Sequence, residues 1–159
     1  MSQQILVISS LNSIAPANYL IDAFRNLAVE VIAISDVKNK RANHVTNGAF
    51  DVKNYVAIND LQPDLLLFVE GGEMGIFPVN FTTLDCPKYW WGIDTHNDYL
   101  KHLRISRLFD HTFLAQKSFV DSLKNDGIKS VSWLPLAYGG SRPDSKDRNI
   151  DIAYAGSTN

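Results

Sequence analysis

Short, uniformly apolar runs alternate along the chain with segments whose apolar residues recur every three to four positions. Residues 4–9 (QILVIS) are a compact run of mostly branched residues, the pattern of a buried strand. Residues 17–28 carry Leu20, Ala23, Phe24 and Leu27 at helical spacing, just after Pro16, where a helix tolerates proline. Residues 29–35 (VEVIAIS) read as a second strand, and the three segments have the length of a βαβ unit. Within 36–59 the polar stretch KNKRANHVTNG reads as a loop, and Tyr55, Val56 and Ile58 belong to a short helix ending before Pro63. Residues 64–69 (DLLLFV) are apolar at every position after the Asp, as a strand covered on both faces requires. After a loop holding Pro78 and Pro87, residues 88–93 (KYWWGI) predict a fourth strand. Residues 97–109 predict a helix with Leu100, Leu103 and Leu108 inward, and 112–115 a fifth strand. Residues 117–125 predict a helix through Phe119, Val120 and Leu123, closed by Gly127, and 130–134 (SVSWL) a sixth strand.

This alternation predicts an α/β fold, a Rossmann-like parallel sheet with helices on both faces and right-handed crossovers. Trp90, Trp91 and Trp133 are expected in the core. The pattern breaks near the end. Residues 139–149 (GGSRPDSKDRN) have the composition of a linker, and 150–155 (IDIAYA) are apolar again. The expected organisation is a Rossmann-like domain over 1–140, a linker over 141–149, and the first strand of a second, truncated domain over 150–159. Such an isolated apolar strand is expected to pair with an exposed sheet edge or to swap into a neighbouring chain, a route to a dimer.

Composition narrows the partners. The chain has 159 residues, 45% hydrophobic and 20% charged, with a net charge of −2. That suits one globular domain with a sizeable core and gives no basic excess for nucleic acid or an anionic membrane surface. Cys86 is the only cysteine, so an internal disulfide and a Cys-rich metal site are excluded, and a reducing, cytoplasmic compartment is the expectation. The N-terminus lacks a basic n-region, and no apolar run approaches the roughly 20 residues that span a bilayer.

In an open parallel sheet, ligands bind beyond the carboxyl ends of the strands, near the point where strand order reverses. Residues 9–15, 70–75, 94–98 and 135–140 are expected there. The first of these loops, SSLNSIAPA, has no glycine, which argues against a dinucleotide fingerprint, and no Walker A loop is present. The segment Glu70-Gly71-Gly72-Glu73-Met74-Gly75 reads either as a flexible turn or as a carboxylate beside bare backbone amides facing a cleft. A receiver-domain reading fails because Ser9-Ser10 and Glu70 stand where its acidic residues belong. Asp94 and His96 are the sharper pair. Two residues apart, they share a side if the strand persists, and a carboxylate beside an imidazole can orient it as a general base. The structural alternative is that Asp94 caps the next helix and His96 bonds locally. Glu70, Asp94 and His96 offer three possible metal ligands, but no spacing matches a standard zinc motif.

Five segments in order, PDLLLFVEGG (63–72), YWWGIDTH (89–96), FDHTFLAQKSFVDSLKNDG (109–127), VSWLPLA (131–137) and DIAYAGS (151–157), resemble the N-terminal half of CgeB-like, spore-maturation-type glycosyltransferases of the GT-B fold. The resemblance covers roughly 63–157; earlier residues match only in their βαβ pattern. It implies two Rossmann-like domains facing across a cleft, the C-terminal one binding most of a nucleotide-sugar donor and the N-terminal one receiving a sugar or glycosylated acceptor. By motif position it implies that Glu70, Gly71, Gly72 and Glu73 line the acceptor side, that Asp94 and His96 are the catalytic candidates, and that no metal is required. A chain stopping where the donor domain begins would bind no donor cofactor and turn over nothing by itself. The competing expectations are a non-catalytic Rossmann-like binding or interaction module, and a metal-dependent hydrolase using Glu70, Asp94 and His96.

Overall fold

The computed structural model describes residues 3–72 and 74–137. Nine strands and four helices follow one another as β1 (Gln4–Ile8), α1 (Pro16–Asn26), β2 (Glu30–Ser35), β3 (His44–Val45), β4 (Gly48–Asp51), α2 (Val52–Ile58), β5 (Leu65–Val69), β6 (Ile76–Val79), β7 (Lys88–Gly92), α3 (Tyr99–Ser106), β8 (His111–Leu114), α4 (Val120–Asn125) and β9 (Val131–Trp133). A 3-10 turn, Lys117–Phe119, leads into α4. Seven strands form one sheet in the order β3-β2-β1-β5-β7-β8-β9, and all six pairings are parallel. Strand order reverses between β1 and β5: the chain moves outward from β1 to β2 and β3, then returns to build from β5 to β9.

The period-2 geometry of a strand sorts the apolar runs between two layers. Leu6 and Ile8 of β1 join Ile32, Ile34, Leu66, Phe68 and Trp90 on one face, with Phe50, Ile76 and Ile105 packed over them. Ile5 and Val7 join Val31, Ala33, Leu67, Val69 and Trp91 on the other, covered by Ala17 and Ile21 of α1. A smaller cluster of Leu103, Leu114, Val120, Leu123, Ile128 and Val131 seats α4 at the β8–β9 end. Gly127 takes φ +94° immediately after α4, the left-handed turn that ends it.

The expected parallel α/β architecture is the one observed, and six of the sheet's seven strands lie where the apolar runs placed them. Three strands went unforeseen. β3 lies within KNKRANHVTNG and extends the sheet by two residues beside β2. β4 and β6 pair with each other as a separate two-stranded parallel ladder. β6 contains Pro78, which a short two-stranded ladder tolerates because one side of the strand has no partner needing its N–H.

Two core assignments are corrected. Leu100 and Leu108 are 61% and 45% exposed, because the inward side of α3 is His102, Leu103, Ile105 and Ser106. Trp133 is 48% exposed on the edge strand β9, where its Nε1 donates to Ala115 O at 3.1 Å and Lys117 Nζ stands 5.3 Å from its ring. The expected linker over 141–149 and the strand over 150–155 lie outside the described residues. No described helix is long and apolar enough to cross a membrane.

Candidate functional site

The carboxyl edge of the sheet runs from Ser9-Ser10 after β1, past Glu70-Gly71 after β5 and Asp94–His96 after β7, to Gln116 after β8. At the reversal of strand order the two central loops touch. A Cβ on Gly71 would stand 2.6 Å from Ser10 O and 3.0 Å from Ser10 N, so only glycine lets β5 leave the sheet this close to β1. Gly72, exposed at φ +62°, turns the chain outward. Glu73 lies outside the described residues.

Glu70 is 5% exposed and faces inward rather than into a cleft. Its Oε2 accepts from the backbone N–H of Ile93 at 2.6 Å and of Asp94 at 3.0 Å, and its Oε1 lies 3.1 Å from His102 Nε2. His102 is 1% exposed, lies tilted at 55° with its ring centroid 4.9 Å from that of Trp90, and places Nδ1 3.1 Å from Thr95 Oγ1. Burial pushes the Glu70 carboxyl up, but the hydrogen bonds from His102, Asp94 and Ile93 outweigh it and hold the group below the usual carboxylate range. Since a carboxylate only accepts, Nε2 of His102 carries a proton and donates to Glu70. A Cβ on Gly92 would stand 2.8 Å from His102 Nδ1, so that glycine makes room for the imidazole. Glu70 is thus a clamp fixing the turn after β7 to the end of β5 and to α3. The sequence candidate for acceptor binding is placed where it fixes the edge from beneath.

Asp94 and His96 occupy the expected edge but do not pair. Among the described residues no hydrogen bond joins their side chains, so the idea that Asp94 orients His96 is corrected. Asp94 is half-buried, donates its N–H to Glu70, and accepts from Asn97 N at 3.0 Å through its backbone carbonyl. The helix cap is Asp98, whose side chain accepts from Lys101 N at 3.0 Å. His96 is exposed and held by Gln116: the Gln116 amide nitrogen lies 2.6 Å from His96 Nδ1, while its Oε1 accepts from His96 N at 3.0 Å. The second bond fixes which way the Gln116 amide faces, so the first is a donation into Nδ1. A neutral ring then carries its hydrogen on Nε2, which has no partner among the described residues. His96 offers a substrate an N–H donor rather than a base lone pair.

Beside this edge an apolar cavity of about 390 Å³ lies between α1 and the segment after β9, lined by Ile14, Tyr19, Leu20, Ala23, Trp91 and Leu136 among others. Trp91 Nε1 donates to Leu134 O at 3.0 Å, which draws the chain after β9 back across β7. Glu70, Asp94 and His96 do not converge as a set of metal ligands; among the described residues no group of three or more His, Cys, Asp or Glu does. Sequence reasoning missed His102 as the partner of Glu70 and Gln116 as the partner of His96. Pairs separated by 32 and 20 residues leave no local spacing signal.

No protein-family model, curated protein or solved structure matches the chain.

Proposed function

We propose that this chain is the acceptor-side domain of a glycosyltransferase that moves a sugar from a nucleotide-sugar donor to an acceptor hydroxyl. The observation that carries the reading is the exposed His96 imidazole, locked by Gln116 with an N–H free at the carboxyl edge of a doubly wound sheet. That edge is where such sheets take ligands, and a fixed N–H suits a sugar or phosphate oxygen. The ordered resemblance of 63–157 to CgeB-like sequences supports the same reading. The proposal includes a donor-binding domain continuing from residue 150, which would bring the nucleotide sugar to His96 across a cleft.

A non-catalytic binding module is the alternative, and the engagement of Glu70 in a structural clamp favours it, since it removes one candidate acid or base from the edge. The deciding experiment takes the complete product of the coding sequence, incubates it with a panel of nucleotide sugars and simple glycoside acceptors, and follows product mass. Transfer abolished or weakened by His96→Ala supports the enzyme. Saturable acceptor binding with neither transfer nor donor hydrolysis supports the module.

A further inference from the structure

A cavity of about 450 Å³ lies at the β3 end of the sheet, among β3, β4 and α2. Three aromatic rings line it. Between centroids, His44 stands 5.1 Å from Tyr55 and 5.9 Å from Phe50, and Phe50 stands 5.2 Å from Tyr55. Phe50 is buried in a core layer and forms the floor, while His44 and Tyr55 are half-buried walls. The ring planes meet at 38°, 45° and 57°, so no ring is stacked flat on another.

The remaining wall is charged. Asp51, the last residue of β4, caps α2: its Oδ1 accepts from Asn54 N at 3.0 Å and its Oδ2 from Asn80 Nδ2 at 2.8 Å. Those two bonds hold its carboxyl below the usual range, so the group is ionised. Asp51 is in no ion pair among the described residues, and no lysine or arginine among them lines the cavity. Lys53, two residues on, lines a separate cavity with Asp60 and Asp64.

A negative charge without a cationic partner, beside three ring faces, selects a cation. The face of an aromatic ring is its negative pole, and it attracts a positive ion lying within about 6 Å of the centroid. The engagement of Asp51 narrows the class. Both of its oxygens already accept a hydrogen bond, so it supplies field rather than a free acceptor, and a primary ammonium would leave N–H donors unmet. A quaternary ammonium has no N–H to satisfy. The Asn54 side-chain amide, exposed at the rim of the cavity, suits a hydroxyl carried by such an ion. An anion is repelled by Asp51.

We propose that His44, Phe50, Tyr55 and Asp51 form a binding site for a small quaternary ammonium ion of the choline type. The site lies at the β3 edge, at the opposite side of β1 from β7 and His96, and does not depend on the chain taking part in sugar transfer.

The test is a titration of the ¹⁵N-labelled chain at about pH 8, so that no imidazolium competes for the carboxylate, following the backbone amides of His44, Asp51 and Tyr55. Choline is expected to give a saturable shift. Its neutral carbon isostere, 3,3-dimethyl-1-butanol, keeps the shape without the charge and should bind more weakly by on the order of 10-fold. Ethanolamine, which keeps the charge but brings N–H donors, should also bind more weakly than choline. Asp51→Asn retains a good helix cap while removing the charge, and His44→Leu retains bulk while removing a ring face. Each is expected to weaken choline binding by on the order of 10-fold with the rest of the amide spectrum in place. No saturable choline shift, equal binding of the isostere or of ethanolamine, or wild-type affinity in either variant overturns the proposal.

Discussion

His102 Nε2 stands 3.1 Å from Glu70 Oε1, with both residues almost wholly buried, and this contact joins the end of β5 to α3 beneath the carboxyl edge. The same carboxylate takes two backbone N–H groups of the turn after β7, so one side chain satisfies three donors. Replacing it with an amide keeps the shape but sets an NH₂ against either His102 or those N–H groups. Glu70→Gln is therefore expected to destabilise the fold by about 2–4 kcal/mol. In a domain of this size that lowers Tm by on the order of 10 °C. Chemical denaturation of the two proteins measures it, and a loss under about 1 kcal/mol would show that the clamp is not a main support of the edge.

The same carboxylate sets an acid dependence. Its folded-state value lies below the usual range, whereas in the unfolded chain it returns to about 4.3. The folded state then binds fewer protons, so the contribution of Glu70 is complete above that unfolded value and is lost as pH falls through the depressed folded one. Stability curves should show a steeper decline below about pH 4.5 for the wild type than for Glu70→Gln. Parallel curves for the two proteins would remove Glu70 from the acid transition.

At the alkaline end the reporter is Tyr99. Burial and then its hydrogen bond to Asp126 Oδ2, 2.6 Å away, push its hydroxyl up to about 12. A raised value means that the folded state holds the proton more tightly. The stabilisation is full below the ordinary tyrosine range and disappears as pH climbs through the folded value. A spectrophotometric titration should show one tyrosine ionising after the others, and Tyr99→Phe should delete that last step. A last step that survives in the variant belongs to another tyrosine.

Gly71 permits a test of the strand-order reversal itself. Its φ is not in the left-handed region, so an alanine there meets no backbone strain, only the Ser10 backbone at 2.6 and 3.0 Å. Backbone cannot swing aside as a side-chain tip can. Gly71→Ala is expected to cost about 1–3 kcal/mol and to shift the amide resonances of Ser9 through Asn12. Gly48→Ala provides the contrast: its Cβ would meet nothing within 4 Å, so its cost should come only from φ +70° and leave the β1 resonances in place.

What the chain discloses about itself depends on how local the signal is. The strands from β1 to β9 that carry buried runs, such as LLLFV in β5 and KYWWG in β7, announce themselves because both faces are covered. β4 and β6 do not, because a four-residue ladder with one proline has neither the length nor the alternation to stand out from a loop. In α3, counting leucines selects Leu100 and Leu108, while the true inward side includes a polar residue, His102, whose burial is explained only by Glu70. The loops after β1, β5 and β7 leave the carboxyl edge as topology predicts, yet the partners within them were not foreseen. Asp94 and His96 looked paired because they are near in sequence, and Gln116 holds the imidazole because β7 and β8 are neighbours in the sheet.

His96 offers the sharpest separation between binding and proton transfer. Gln116 donates into Nδ1, so the neutral ring should hold its hydrogen on Nε2. Long-range ¹H–¹⁵N spectra of the chain should show that tautomer for His96, and Gln116→Ala should move both ring nitrogen shifts toward those of a free imidazole. In the transfer reaction proposed above, an N–H donor predicts a particular pattern. His96→Ala should raise KM by about 10-fold with a modest change in kcat, and His96→Gln, which keeps an N–H, should restore most of the loss. A general base predicts the opposite: kcat falling by roughly 10²–10⁴-fold and no rescue by glutamine, which has no proton affinity to offer. A kcat loss of that size without rescue would reject the donor role assigned to His96 and return it to acid–base chemistry.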